Sequence, residues 1–272
     1  MPFKFSSLNY SPFRLGIILV LSLFLSSCAT HRKAVVRHEA LPGVSISARN
    51  NPMDIYRATS SKVWEIPHSA VELHFDFEKR TASCKATLQI KPYITAPDTM
   101  VLDAKGMRIE KVAILREGAT GMDLLTFSYD SLRLKIDVRG QDFGTITFPK
   151  TREIFIQYTA MPYASEAGGS AAISEDRGLY FINTNHEIPG KPVQIWTQGE
   201  TESNSHWLPT IDKPNQRTTT DISLIVPDSM TTLSNGKMIS STPETAGFRR
   251  DEWRMAKPIQ VYAIMFAIGR FD

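Results

Sequence analysis

Between Val71 and Ile90 the sequence keeps a period of two. Val71, Leu73, Phe75 and Phe77 are separated by Glu72, His74 and Asp76, with Glu78 closing the run. After Lys79-Arg80-Thr81 the pattern resumes, with Ala82, Cys84, Ala86, Leu88 and Ile90 set against Ser83, Lys85, Thr87 and Gln89. Side chains of a strand point alternately to its two faces, so the pattern predicts two half-buried strands joined as a hairpin or meander. Leu132, Leu134, Ile136 and Val138 repeat it, with Arg133, Lys135 and Asp137 facing out. Shorter apolar stretches follow at Ile154–Tyr158, Leu179–Ile182, Ile222–Val226 and Val261–Ile268, and Gly168-Gly169, Pro189-Gly190 and Asn235-Gly236 are turn signals between them. No segment of adequate length carries the 3.6 period of an amphipathic helix. The prediction is an all-β chain, a sandwich or curved multi-sheet domain over residues 61–272. Within it, His74 is a surface residue of a strand, and Cys84 is a small buried hydrophobe rather than a reactive thiol.

The first sixty residues read differently. Lys4 and Arg14 precede an apolar run, Leu15–Leu25, broken only by Gly16 and Ser22. A membrane-spanning helix needs about 20 apolar residues, so this run is short for a permanent span and suits the apolar region of a secretory signal, residues 1–27. It ends in Leu25-Ser26-Ser27-Cys28, which resembles a bacterial lipoprotein box. That likeness implies acylation of Cys28 and a lipid anchor in the bacterial cell envelope, at the periplasm or outer membrane. Several acyl chains would make the anchor firm, since each buried methylene contributes about 0.8 kcal/mol. Residues 28–60, rich in Ser, Ala, Pro, Asn and Arg, read as a tether.

Charge follows the same division. The chain has 31 Lys+Arg and 28 Asp+Glu, formally +3. Removing Lys4, Arg14, Arg32, Lys33, Arg37, Arg49 and Glu39 leaves 25 bases and 27 acids for residues 51–272, a net −2. A nucleic-acid binder concentrates positive charge on its folded part, so nucleic acid is not expected as a partner.

No catalytic set emerges from the residues. Gly168-Gly169-Ser170-Ala171-Ala172 lacks the closing glycine of a nucleophile elbow. The pairs His38-Glu39 and His186-Glu187 would need a second His at Pro42 and Gly190 to form a zinc helix. The densest polar and aromatic region is Gln194–Glu202, followed by Ser205–Asn215, with Trp196, Trp207, Pro209 and Pro214 among several carboxylates. On residues alone it reads as a rigid structural corner with surface carboxylates.

This region resembles the N-terminal domain of the aminopeptidase N family, the gluzincin zinc aminopeptidases. The likeness rests on Thr197-Gln198-Gly199-Glu200 and on Trp207-Leu208-Pro209-Thr210-Ile211-Asp212-Lys213-Pro214. It is supported by Arg177-Gly178-Leu179-Tyr180, Leu233-Ser234-Asn235-Gly236 and the terminal run from Tyr262 to Asp272. These matches run in order from about Trp64 to Asp272. Two positions depart from it: Leu208 stands where many relatives have Phe, and Gly199 where a larger residue is frequent.

The resemblance implies a saddle-shaped β domain that packs on a thermolysin-like catalytic domain. It implies that Gln198 helps shape the first substrate pocket and that Glu200 helps bind the free α-amino group of a peptide. A carboxylate facing an ammonium makes a charge-assisted hydrogen bond, which selects peptides with a free N-terminus. Tyr180 and Trp196 are expected to pack around that segment. The family's Gly-Ala-Met-Glu-Asn loop and its His-Glu-x-x-His zinc helix have no counterpart in this sequence. No catalytic residue and no metal ligand is therefore assigned, and Zn2+ is implied only for an absent catalytic domain, supplied in cis or in trans. The expectation is the N-terminal, catalytically silent domain of a membrane-anchored aminopeptidase, as a truncated gene product or a piece of a longer enzyme. The alternatives are a stand-alone lipoprotein that binds peptides and an inactive remnant.

Overall fold

A computed structural model describes residues 61–118, 120–164 and 175–271. The apolar run, Cys28, the tether, His38-Glu39 and the Gly168–Ala172 segment lie outside the described residues. Fifteen strands make up the described part. The first eight are β1 (Trp64–Asp76), β2 (Thr81–Pro92), β3 (Thr99–Asp103), β4 (Met107–Leu115), β5 (Met122–Leu124), β6 (Phe127–Tyr129), β7 (Arg133–Asp137) and β8 (Arg152–Ala160). The rest are β9 (Leu179–Ile182), β10 (Gln194–Thr197), β11 (Arg217–Pro227), β12 (Thr231–Ser234), β13 (Lys237–Pro243), β14 (Phe248–Gln260) and β15 (Phe266–Gly269). Among the described residues the only helical elements are two short 3-10 turns, Asn204–His206 and Val261–Ala263. The all-β prediction is borne out.

The strands form three sheets. Eight run in the order β13-β14-β11-β1-β2-β8-β4-β5, four as β12-β15-β10-β9 and three as β3-β7-β6. The alternation that opens the sequence builds the centre of the large sheet. Asp76 pairs with Thr81 and Leu73 with Cys84 in the antiparallel β1-β2 register. The connection is a tight turn in which the Asp76 carboxylate accepts the Lys79 N–H (2.9 Å) and Arg80 takes φ 54°. Val71, Leu73, Phe75, Ala82, Cys84, Ala86, Leu88 and Ile90 are all buried, while His74 is exposed. Burial pushes the Cys84 thiol up to about 12, so it is an inert core group.

Periodicity does not reveal which distant strand flanks β1. That strand is β11, parallel to β1 from His68 opposite Thr219 to His74 opposite Ile225. Parallel pairing requires a long crossover, and here 151 positions separate the hydrogen-bonded His68 and Thr219.

Two expectations need correction. Leu132 is 61% exposed. It stands in the turn before β7, where the Asp130 carboxylate accepts the N–H groups of Leu132 (3.0 Å) and Arg133 (2.6 Å). That Asx turn starts the alternation one inward position late, at Leu134. The apolar stretch from Val261 to Ile268 is a strand only from Phe266 onward, because a 3-10 turn occupies Val261–Ala263.

The small sheet meets the large one through aromatic rings. Phe75 of β1 lies 5.6 Å from Phe266 and 6.4 Å from Phe181, and Phe266 meets Trp207 edge-on at 5.1 Å. Edge-on contacts between such large side chains add to the stabilisation from their buried area. Asp251 of β14 also bridges the sheets. It accepts the Thr232 hydroxyl of β12 (2.7 Å) and is paired with Arg249 (2.9 Å).

Candidate functional site

The chain leaves β10 at Thr197 and enters a loop whose backbone is fixed on every side. The Gln198 N–H donates to the Gly178 carbonyl (3.0 Å), and the Ser203 N–H to the Gly199 carbonyl (2.9 Å). Gly199 is buried, and a Cβ there would overlap the Tyr262 carbonyl oxygen and the Asn204 amide. The departure noted at this position thus has a steric cause, since no larger residue fits. Gly178 is fixed likewise, at φ 64°, with a Cβ overlapping the Ser203 carbonyl.

Asn204 anchors the loop. It is fully buried and uses its whole amide: Nδ2 donates to the carbonyls of Val261 (2.6 Å) and Ile264 (2.9 Å), and Oδ1 accepts from Trp207 Nε1 (2.8 Å). Sequence reasoning missed it, because Glu202-Ser203-Asn204-Ser205 reads as a solvated polar run. Asn235 holds the same segment from the other side, donating to the Ala263 carbonyl (3.1 Å) and accepting the Met265 N–H (2.6 Å). The Thr197 hydroxyl oxygen accepts the Phe266 N–H (3.0 Å). Three motifs that are far apart in sequence therefore converge on residues 261–266.

Beyond the 3-10 turn, Tyr158 donates its hydroxyl to the Trp207 carbonyl (2.7 Å), and Thr210 and Asp103 exchange backbone hydrogen bonds (2.7 and 3.0 Å). The buried Asp212 carboxylate accepts the Ser205 N–H (2.8 Å). Burial raises Asp212 to about 6, against the lowering effect of the Ser205 N–H and of Lys105. Beside it, burial and then the Lys105 charge lower His206 to about 4. At neutral pH the loop thus contains an ionised Asp212 and a neutral His206. Glu202 is ion-paired with Lys213, and its carbonyl accepts Lys105 Nζ (2.6 Å).

Against this fixed frame the two expected site residues stand out. Gln198 is half-buried and Glu200 exposed, and among the described residues neither side chain has a hydrogen-bond partner. They flank the buried Gly199 in one segment whose backbone is hydrogen-bonded to Gly178 and Ser203. Tyr180 and Trp196 stack at 4.7 Å, nearly parallel at 14°, on the outer face of the small sheet. They flank the segment and carry no catalytic geometry. His186 is exposed at φ 56° in a loop, so His186-Glu187 forms no zinc helix. Among the described residues no three His, Cys, Asp or Glu side chains converge to hold a metal ion. Zinc does not fit these described residues.

Comparison with known proteins places this geometry in a family. The model of the Peptidase M1 N-terminal domain matches residues 65–262. Among curated proteins the chain is 24% identical over 178 residues to a puromycin-sensitive aminopeptidase of Caenorhabditis elegans, covering 65% of this chain and 17% of that one. It is 21% identical over 217 residues to leukotriene A-4 hydrolase of Xenopus laevis, covering 78% and 33%. The fold is similar to that of an M1 zinc metallopeptidase from Deinococcus radiodurans, with a TM-score of 0.61 at 16% identity, covering 78% of this chain and 43% of that one. Yeast LTA4 hydrolase gives 0.58 at 19%, covering 79% and 30%. The chain spans a third or less of the length of these curated relatives. With its matched segment, its three sheets and its Thr-Gln-Gly-Glu loop, the chain belongs to the Peptidase M1 N-terminal domain family.

Proposed function

We propose that this chain is the substrate-end domain of a membrane-anchored zinc aminopeptidase, an enzyme that releases N-terminal residues from peptides. Glu200 receives the peptide's α-ammonium and Gln198 borders the first side-chain pocket. Zinc and the reacting water belong to a separate catalytic domain, in cis or in trans. The observation that carries this reading is the contrast within one loop. Its backbone is immobilised through Gly199 and Asn204, while Gln198 and Glu200 keep unused polar groups. Holding a carboxylate fixed before the ligand arrives reduces the entropy lost on binding. Acylation at Cys28 keeps the domain at the bacterial envelope membrane.

The test is binding of a free tripeptide and of its N-acetylated form to the full chain, followed by NMR or calorimetry. The free form is expected to bind and the acetylated form not. Glu200→Ala should weaken binding by about 10- to 100-fold, as loss of a charge-assisted hydrogen bond requires. Equal binding of both peptides would overturn the assignment of Glu200.

A further inference from the structure

At the end of the large sheet where β1 begins, Trp64 pairs with Pro92 and Ile90 with Arg152. The loops 93–98 and 138–151 therefore emerge at this end together. The opposite end of β1 is where Phe75 meets the small sheet that leads into Gln198. With 13 residues in β1, the two ends are about 40 Å apart.

The two loops display apolar side chains outward. Phe148 is 78% exposed, Ile146 66% and Ile94 61%. These loops are ordered by their own contacts. Phe143 packs edge-on against Trp64 at 5.0 Å. The Lys150 N–H donates to the Phe143 carbonyl (2.8 Å), and the Gly144 N–H to Asp142 Oδ1 (2.8 Å). Ile94 and Ile146 border a shared shallow cleft of about 380 Å³. Two charges nearby are paired, Lys62 with Glu65 (2.8 Å) and Lys150 with Asp142. Three large apolar side chains exposed on two neighbouring loops make this end a candidate interaction surface.

What lies closest in the chain to this tip is the N-terminal segment. Lys62 sits over the Tyr93 ring at 5.3 Å, and the Tyr93 N–H donates to the Val63 carbonyl (2.8 Å). Residues 1–60, Cys28 among them, thus join the domain at the end that exposes Ile94, Ile146 and Phe148. Cys28 lies 35 positions before Val63, so anchorage at Cys28 keeps this end of the domain within chain reach of the membrane surface.

We propose that the tip formed by Ile94, Ile146 and Phe148 is a second membrane contact, inserting into the bilayer surface on which Cys28 anchors the chain. The contact is apolar, so salt leaves it intact. Its effect is to stand the domain on the membrane with the Gln198–Glu200 end pointing away from the lipid. This inference rests on the anchor reading.

The test places spin labels at Ile94→Cys and Phe148→Cys, with Lys79→Cys in the opposite turn as control, on the full chain bound to phosphatidylcholine–phosphatidylglycerol vesicles. The labels at 94 and 148 should favour collision with oxygen over a water-soluble nickel chelate several-fold more than the label at 79. Ile146→Asp, at an exposed position, should return the label at 94 to water. Vesicle-bound chain with all three labels equally open to nickel would overturn the tip contact and leave the anchor standing. Chain that remains in solution would overturn both. Protection that rises with protein concentration at fixed lipid would assign the tip to a second copy and overturn membrane insertion.

Discussion

The outer faces of the two larger sheets differ sharply. On the eight-stranded sheet the outward residues form cross-strand ion pairs: Arg250 joins Glu72 and Glu244 (2.8 and 2.9 Å), Lys85 joins Glu72 (2.9 Å), and Arg254 joins Asp221 (2.8 Å). On the four-stranded sheet the outward residues include the Tyr180–Trp196 stack and an exposed Leu233. The central strands of the first face are satisfied by their own paired side chains, and exposed apolar residues (Leu124, Ile239) are confined to its edge strands β5 and β13. The second presents aromatic and aliphatic surface next to Gln198. Two sheets of one core thus differ in what they leave to solvent, paired charges on one and apolar side chains on the other.

The comparison breaks first if the small sheet cannot hold its place. Asn204→Ala removes the amide that satisfies two carbonyls and an indole N–H in a buried site. It should cost about 3–5 kcal/mol, measurable by denaturant unfolding. Little of this was legible in the sequence. Alternation predicted β1, β2 and β7 because one face of each is buried and the other wet, a property written into neighbouring residues. The parallel β1-β11 pair and the convergence on residues 261–266 depend on residues far apart in the chain, which no local pattern records. In the Thr197–Glu200 segment, Gln198 and Glu200 were singled out by motif. Asn204 was hidden because polar residues look alike on paper whether water or protein satisfies them.

A finer probe uses the two opposed titrations in the loop. His206, lowered to about 4 in the fold, favours the unfolded chain as pH falls from 6.5 toward 4, because only the unfolded imidazole takes a proton there. Asp212, raised to about 6, does the reverse: the folded state takes its proton first, so stability is gained as pH falls from 6 toward 4 and lost as pH rises through 6. The two slopes oppose each other in the native chain. Asp212→Asn should uncover stability that falls on acidification, and His206→Gln stability that rises, each by about 1–3 kcal/mol across the window. Parallel pH profiles for both variants would show that the loop does not hold these groups as described.

The face itself is tested by Trp196→Ser combined with Leu233→Ser. Both side chains are exposed, so unfolding should shift by only about 1 kcal/mol, mostly from the lost Tyr180 stack. Self-association, followed by light scattering, should fall markedly. On the large sheet the same exercise should give the smallest response. Arg250→Ala is expected to shift stability by less than about 1 kcal/mol, and the shift should shrink in high salt.

The gathering of Asn204, Asn235 and Thr197 around residues 261–266 also bears on the order of events during synthesis. The clamp on the Gln198–Glu200 loop is supplied by chain that leaves the ribosome some sixty residues after Asn204, the separation between Asn204 and Ile264. Contacts of such long range form late, since ordering the intervening chain precedes their reward. The Gln198–Glu200 loop is therefore among the last parts of the domain to acquire its shape.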